Sequence, residues 1–379
     1  MTIRDRINNM ALKELETLID IPSESGNEQE IIKYLENRFA LMGFRTEHQE
    51  VMGGRYNLLV NPVESPLIIT AHVDTVSHDV EGEECLRRVD GNIVYGRGAV
   101  DIKGGITSII VAMELLREEG FEGRDLPFTL AFTVDEEKEG RGSQVLAAHF
   151  KNSRGAIILE PTELTLGVAQ AGSIELFLNF YGRPSHGGEI NRGDNAIKRA
   201  MNFFQELERL PVLQEEDELV GKAGYNIQWI GGGEKDILIV PAYCQSVVDI
   251  HILPRQDIDE VKEVIEQLIE QFGDLDAEYL DLSPSFFLSR EESVIKLMQE
   301  AGEATLNTAL PFTGVRSWTD AEPLFAEGIP PVIFGPGELS VGHTPFEHVD
   351  IEEVVSAGYI LAESVRKASM VSEPYRITP

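Results

Sequence analysis

The chain has 379 residues, long enough for two domains or for one large domain carrying an insertion. Its 32 Lys and Arg stand against 65 Asp and Glu, and a net charge of −33 repels phosphate backbones and anionic headgroups, which excludes nucleic acid and membrane surfaces as expected partners. Two cysteines, Cys85 and Cys244, are too few for a disulfide framework or a thiolate metal site, so any metal ion must be held by oxygen and nitrogen.

The N-terminal stretch is charged throughout, and no run approaches about 18 consecutive apolar residues, so the expectation is a soluble, cytoplasmic protein. Residues 28–42 carry Ile31, Ile32, Leu35, Phe39 and Met42 at helical spacing, with Gly43 as a stop. Leu67–Ala71 is an apolar run of the kind that makes a buried strand, and Asp90-Gly91 sits between two strand-like stretches as a hairpin turn, so a mixed sheet is expected. A long helix from Gly104, a strand at PFTLAFTV, a short helix from Gly142 and a strand at GAIIL continue an α/β alternation.

Between residues 173 and 283 the order changes to strand, helix, strand, strand, helix, strand, which is the split βαβ module and predicts an inserted ferredoxin-like α+β domain. The α/β grammar then resumes with a helix through SVIKLMQEAG, a strand at PPVIFG and a last helix from Ile351 to about Lys367. The expected organisation is a mixed-sheet α/β domain made of residues 1–172 and 284–379, interrupted by residues 173–283.

Five short segments carry side chains that could do chemistry. In ITAHVDTV, His72 and Asp74 end an apolar strand, and residues two apart in a strand point the same way, so the carboxylate could accept the second imidazole N–H and fix its tautomer. By itself this is also the pattern of a solvated strand end. Asp101 lies in YGRGAVDIKGG, where glycines on both sides permit unusual backbone angles, and it reads equally as a helix N-cap. Asp135, Glu136 and Glu137 are three adjacent acids at a strand end, which repel one another unless a cation or solvent relieves them. Glu160 ends the next apolar strand in ILEPTE, and His343 follows PVIFGPG. Ligands of open α/β sheets bind beyond the carboxyl ends of the strands, where His72, the acid cluster and Glu160 all fall.

Taken in order, these segments resemble those of the dinuclear zinc amidohydrolase and carboxypeptidase family that includes acetylornithine deacetylase, succinyl-diaminopimelate desuccinylase and bacterial glutamate carboxypeptidase. The resemblance covers nearly the whole chain, insertion included. It implies a zinc-hydrolase catalytic domain with an inserted lid and dimerisation domain, and two divalent ions, Zn2+ before Co2+ or Mn2+. Asp101 would bridge the ions, His72 and Glu160 would share one, and Glu137 and His343 would hold the other. Glu136 would be the general base, Asp74 would orient His72, and the Asp101-Ile102 peptide would be cis. The segment YGRPSHGGEINRGDNAI resembles one whose histidine reaches across a homodimer to the reacting carbonyl, which makes His186 an oxyanion stabiliser. His48, His78, His149 and His348 read as surface or outer residues. Asp135 has no assigned role.

The expected substrate is an N-acyl amino acid or a short peptide, cleaved at its amide. A di- or tripeptidase on the same site and a metal-binding homologue without turnover are the alternatives. The chain departs from its relatives where they often carry an Asn and an Arg that hold a substrate carboxylate. Leu238 and His251 stand at those positions, with Lys235, Arg255 and Arg316 as candidate replacements.

Overall fold

The computed structural model describes residues 2–64, 66–80, 83–121 and 126–370. Its helices are α1 (Ile3–Asp20), α2 (Gln29–Leu41), α3 (Gly104–Glu118), α4 (Arg141–His149), α5 (Ala196–Glu208), α6 (Ile258–Phe272), α7 (Ser293–Leu306), α8 (Ala321–Ala326) and α9 (Ile351–Met370). The strands that matter below are β1 (Thr46–Met52), β2 (Arg55–Val60), β3 (Leu67–His72), β4 (Arg88–Asp90), β5 (Ile93–Tyr95), β6 (Phe128–Thr133), β7 (Gly155–Ile158), β8 (Leu166–Gln170), β9 (Gly172–Tyr181), β10 (Gly224–Gly232), β11 (Tyr243–Ile252), β12 (Leu275–Ser283), β13 (Pro331–Ile333) and β14 (His348–Asp350).

Two compact units divide the chain. Among the described residues, one comprises those within 2–168, 288–313 and 319–370, and the other 169–287 and 314–318. The cuts fall at Ala169 and Phe287 rather than at 173 and 283, and the short segment Gly314–Trp318 groups with the second unit, a long-range association that no local pattern announces.

In the first unit the main sheet runs β1-β2-β6-β3-β7-β13-β8. β3 pairs in parallel with β6 and β7, and β7 with β13, whereas β1–β2, β2–β6 and β8–β13 are antiparallel, so the sheet is mixed as expected. Every residue of β3, β6 and β7 is buried, which is why these strands read as continuous apolar runs instead of alternating. The Asp90-Gly91 hairpin forms, but in a small separate sheet in which β5 pairs with β4 on one side and with β14 on the other.

Helix α1, which the density of charge conceals in the sequence, is set by a capping box between Thr2 and Asp5. It buries Ile7, Ala11, Leu15 and Leu18 at three- and four-residue spacing and packs against α3 and α9.

The second unit is a four-stranded antiparallel sheet in the order β10-β11-β9-β12, covered by α5 and α6. This is the predicted ferredoxin-like arrangement. Ile174, Leu176, Leu178 and Phe180 on β9 and Val248, Ile250 and Ile252 on β11 alternate inward, meeting Phe203, Phe204 and Leu207 of α5 and Val261 and Ile265 of α6.

Candidate active site

The ends of β3, β6 and β7 deliver side chains to one place. His72 is the last residue of β3, Glu136 and Glu137 follow β6, and Glu160 follows β7. His72 Nε2 lies 3.0 Å from Asp101 Oδ1, 3.7 Å from Glu160 Oε1 and 3.9 Å from Glu136 Oε2. His343 Nε2 lies 3.3 Å from Asp101 Oδ2 and 3.0 Å from Glu137 Oε2. Asp101 therefore stands between the two imidazoles, one carboxylate oxygen toward each. Its peptide to Ile102 is cis.

Two trios, His72 with Glu136 and Glu160, and His72 with Asp101 and Glu137, each bring their ligand atoms within 4.8 Å of one another. Among the described residues Glu160 Oε1 is buried without a hydrogen-bond partner. A withdrawn, unsatisfied carboxylate oxygen in a nest of imidazole nitrogens and acids fits a divalent cation of the borderline class, and no thiolate is involved. Distance alone leaves Glu136 as eligible a ligand as Glu137.

Electrostatics favour the same reading. Burial opposes charge on His72, yet Glu136, Asp101, Asp74 and Glu160 outweigh it and hold the imidazole well above its ordinary value. Hydrogen bonds to Asp101 and Glu137 push His343 up to about 10. Burial raises Glu136 and Glu160 well above the carboxylate range, each relieved by His72 and each opposed by the other acids. Asp101 is held low despite its burial, by its hydrogen bonds to His343 and His72. Without a cation the cluster shares protons among acids that a cation would displace.

Asp74 meets His72 through its main chain as well as its side chain. The His72 Nδ1–H donates to the backbone carbonyl of Asp74 at 2.9 Å, while the nearer carboxylate oxygen is 3.6 Å away. A carbonyl can only accept, so the proton sits on Nδ1 and Nε2 faces the cluster. The Asp74 carboxylate also accepts the backbone N–H groups of Glu136 (3.1 Å) and Glu137 (3.2 Å), together with the Ser25 hydroxyl at 2.6 Å. The carboxylate is thus shared between the neighbouring loop and, at 3.6 Å, the imidazole.

Asp135, which the sequence left without a role, is buried and braces that loop from its other side. Its carboxylate accepts Arg55 Nη1 at 2.7 Å and Arg141 Nη1 at 3.1 Å, and Arg55 Nε also reaches Glu28 at 3.1 Å. The Asp135 carbonyl accepts the N–H groups of Glu139 and Gly140. Asp320, also buried, accepts the Thr133 hydroxyl at 2.6 Å at the end of β6. Arg55 meets Asp135 across 80 residues and Thr133 meets Asp320 across 187, contacts that no local pattern announces.

His186 belongs to the second unit. It is exposed, on a segment bridged to Ile239, and its Nδ1 accepts the Gly188 N–H at 3.1 Å. Leu238 is 72% exposed, and His251 Nε2 is 3.0 Å from Asp249 Oδ2 on its own strand. Arg316 donates to the Lys222 carbonyl at 2.7 Å, and Arg255 lies 5.7 Å over the Phe287 ring. His48 faces Glu36 at 3.4 Å and His348 packs on Tyr95.

Comparison with known proteins gives a consistent picture. The family model described as peptidase family M20/M25/M40 matches residues 68–367. The acetylornithine deacetylase of Myxococcus xanthus is 27% identical over 358 residues, spanning 88% of this chain and 91% of its own. A probable succinyl-diaminopimelate desuccinylase of Staphylococcus epidermidis is 23% identical over 376 residues, spanning 88% and 92%. Among solved structures, a tripeptidase from Staphylococcus aureus superposes with a TM-score of 0.78 at 21% identity, covering 96% of this chain and 98% of that one.

Proposed function

Because the chain belongs to peptidase family M20/M25/M40, we propose that it is a metal-dependent hydrolase that cleaves the amide of an N-acyl amino acid or short peptide at the His72–Asp101–Glu160 cluster. The observation that carries this reading is the convergence of Glu136, Glu137 and Glu160 with two imidazoles around Asp101, with His72 and the three glutamates at strand ends and all but His343 largely withdrawn from water.

His72 and Glu160 would hold one divalent ion, Glu137 and His343 the other, and Asp101 both. The set suits Zn2+, with Co2+ or Mn2+ compatible. When bound, such ions supply Lewis acidity to the amide carbonyl and to the attacking water. Glu136, whose carboxylate lies 3.9 Å from His72 Nε2 at the edge of the cluster, would take a proton from that water and return it to the leaving nitrogen. Asp74 and Asp135 keep this loop in place through its backbone and its base. In the second unit, His186 is the proposed donor to the developing oxyanion, supplied across a homodimer formed through that unit. His186→Ala should then cut kcat more than it raises KM, and the protein should lose activity on dilution to monomer.

Acyl-amino-acid hydrolysis is put first, supported by the deacetylase and desuccinylase relatives, with the peptidase reading as the alternative. With Leu238 exposed and His251 tied to Asp249, we also propose relaxed recognition of the substrate carboxylate. The setting proposed is the cytoplasm, where Cys85 and Cys244, both free, remain thiols. The test is amine release from N-acetyl and N-succinyl amino acids and from tripeptides, by metal-loaded and chelator-stripped protein. Release from the acyl amino acids that returns with metal supports the proposal. Tripeptide cleavage alone favours the peptidase, and no release from any substrate favours a homologue without turnover.

A further inference from the structure

Behind Asp101 lies a second group of charged side chains that the proposed chemistry does not use. Arg97, Lys103 and Glu347 are essentially inaccessible to water, at 1%, 0% and 1% exposure. Charges so deeply withdrawn persist only where partners satisfy them. Glu347 Oε2 accepts Arg97 Nη1 at 2.5 Å, and Arg97 Nε donates to the Ser77 carbonyl at 2.9 Å. Lys103 Nζ donates to the Ile21 carbonyl at 2.9 Å, at the end of α1.

The other Glu347 oxygen accounts for the backbone at the centre of the site. Asp101 has φ −118° and ψ 84°, which breaks the helical turn of residues 99–103. The N–H of Ala99 goes to the Gly96 carbonyl and that of Lys103 to the Gly98 carbonyl. Between them, the N–H groups of Val100 and Asp101 both go to Glu347 Oε1, at 3.2 and 3.3 Å. Buried N–H groups without partners are rare and costly, so this one side chain dictates where the Asp101 peptide can lie. Glu347 is itself fixed: its carbonyl accepts the Gly96 N–H, and the next residue, His348, pairs with Tyr95 as β14 meets β5. It also follows His343 by four residues, so the segment that carries one imidazole of the site carries the clamp on Asp101 as well.

We propose that Glu347, held by Arg97, is a positioning residue for the metal centre: it sets the Asp101 carboxylate between His72 and His343 and couples the His343 segment to it. This assignment rests on the metal centre proposed above and acts through Asp101, with no contact to substrate. Glu347→Gln is nearly isosteric but puts an NH2 donor where an acceptor stood, facing either Arg97 or the two peptide N–H groups. Outer partners of ligands are typically worth about 10- to 100-fold in metal affinity.

The experiment is a titration of metal-free protein with Co2+ alone, read by visible absorption, in the wild type and in Glu347→Gln, with far-UV circular dichroism on both. The expected result is at least tenfold weaker Co2+ binding and a changed absorption band in a variant whose circular dichroism matches wild type, with kcat reduced and KM within about twofold. A variant that is less stable yet binds Co2+ with wild-type affinity and spectrum overturns the assignment. Should Glu347→Gln not fold, the same titration on Arg97→Lys, which keeps the charge but not the forked contact, decides: weakened binding supports the coupling and a wild-type curve overturns it. A wild-type chain that takes up no Co2+ contradicts the proposed metal centre itself, an outcome distinct from a variant that binds like wild type.

Discussion

The two compact units bury different kinds of side chain. The second keeps to the rule of its elements: strands alternate, helices turn one stripe inward, and its core of Leu176, Phe180, Phe203, Val248 and Ile250 is apolar. The first follows the same rule along the body of its sheet and breaks it at strand ends and the loops beside them, where His72, Asp74, Asp101, Asp135, Glu160, Asp320 and Glu347 are all withdrawn from water. Removing a charge from water costs several kcal/mol unless partners compensate, so a fold concentrates such groups where chemistry requires them. The contrast separates what maintains the chain's fold from what it is there to do.

That separation can be broken by substitution. The largest effect belongs to Asp101→Ala, which removes the residue both imidazoles face and should abolish metal retention and turnover together. Two metals per chain in that variant, measured after dialysis, would contradict the bridging assignment. Phe203→Ala, in the apolar core of the second unit, should cost about 3–5 kcal/mol of stability by denaturant titration while the protein still loads its metal. Loss of metal on that change would show that the two regions are not separable in this way.

A smaller effect is expected from pH in the metal-free protein. His343 is held at about 10 against an ordinary 6.5, and Glu136 and Glu160 are raised above their ordinary 4.5. Between those limits the native state binds more protons than the unfolded chain, so stability falls as pH rises. The His343 contribution is whole below about 6.5 and gone above about 10. Cation binding displaces the same protons, so Tm of the loaded protein should vary less across that window, and His343→Ala should flatten the metal-free curve. A metal-free Tm that rises from pH 6.5 to 10 would contradict the proton-sharing cluster. The smallest effect is that of Leu238→Asn. On an exposed side chain it should leave stability within about 0.5 kcal/mol, while raising the preference for a free acid over its amide by roughly tenfold.

Much of this was legible in the sequence because it is local. The βαββαβ order, the buried parallel strands and the position of each acid at a strand end all follow from patterns spanning a few residues. Helix α1 went unread: Thr2, Asp5 and the spacing of Ile7, Ala11 and Leu15 mark it, but its charges obscured the stripe. What the sequence withheld is long-range. Asp135 meets Arg55 across 80 residues and Arg97 meets Glu347 across 250, and neither pair leaves any periodic trace. Asp74 shows a subtler limit: the two-residue spacing does bring it to His72, but its carbonyl takes the imidazole proton and its carboxylate serves the Glu136–Glu137 backbone.

The central claim is that neighbouring acids of the same loop have opposite duties, Glu136 moving a proton and Glu137 holding a metal. Metal content and turnover measured side by side in Glu136→Gln and Glu137→Gln test it directly. The account predicts that Glu136→Gln keeps both metals and loses about 10²–10⁴-fold in kcat, whereas Glu137→Gln loses metal. Metal lost from Glu136→Gln and kept by Glu137→Gln would contradict it.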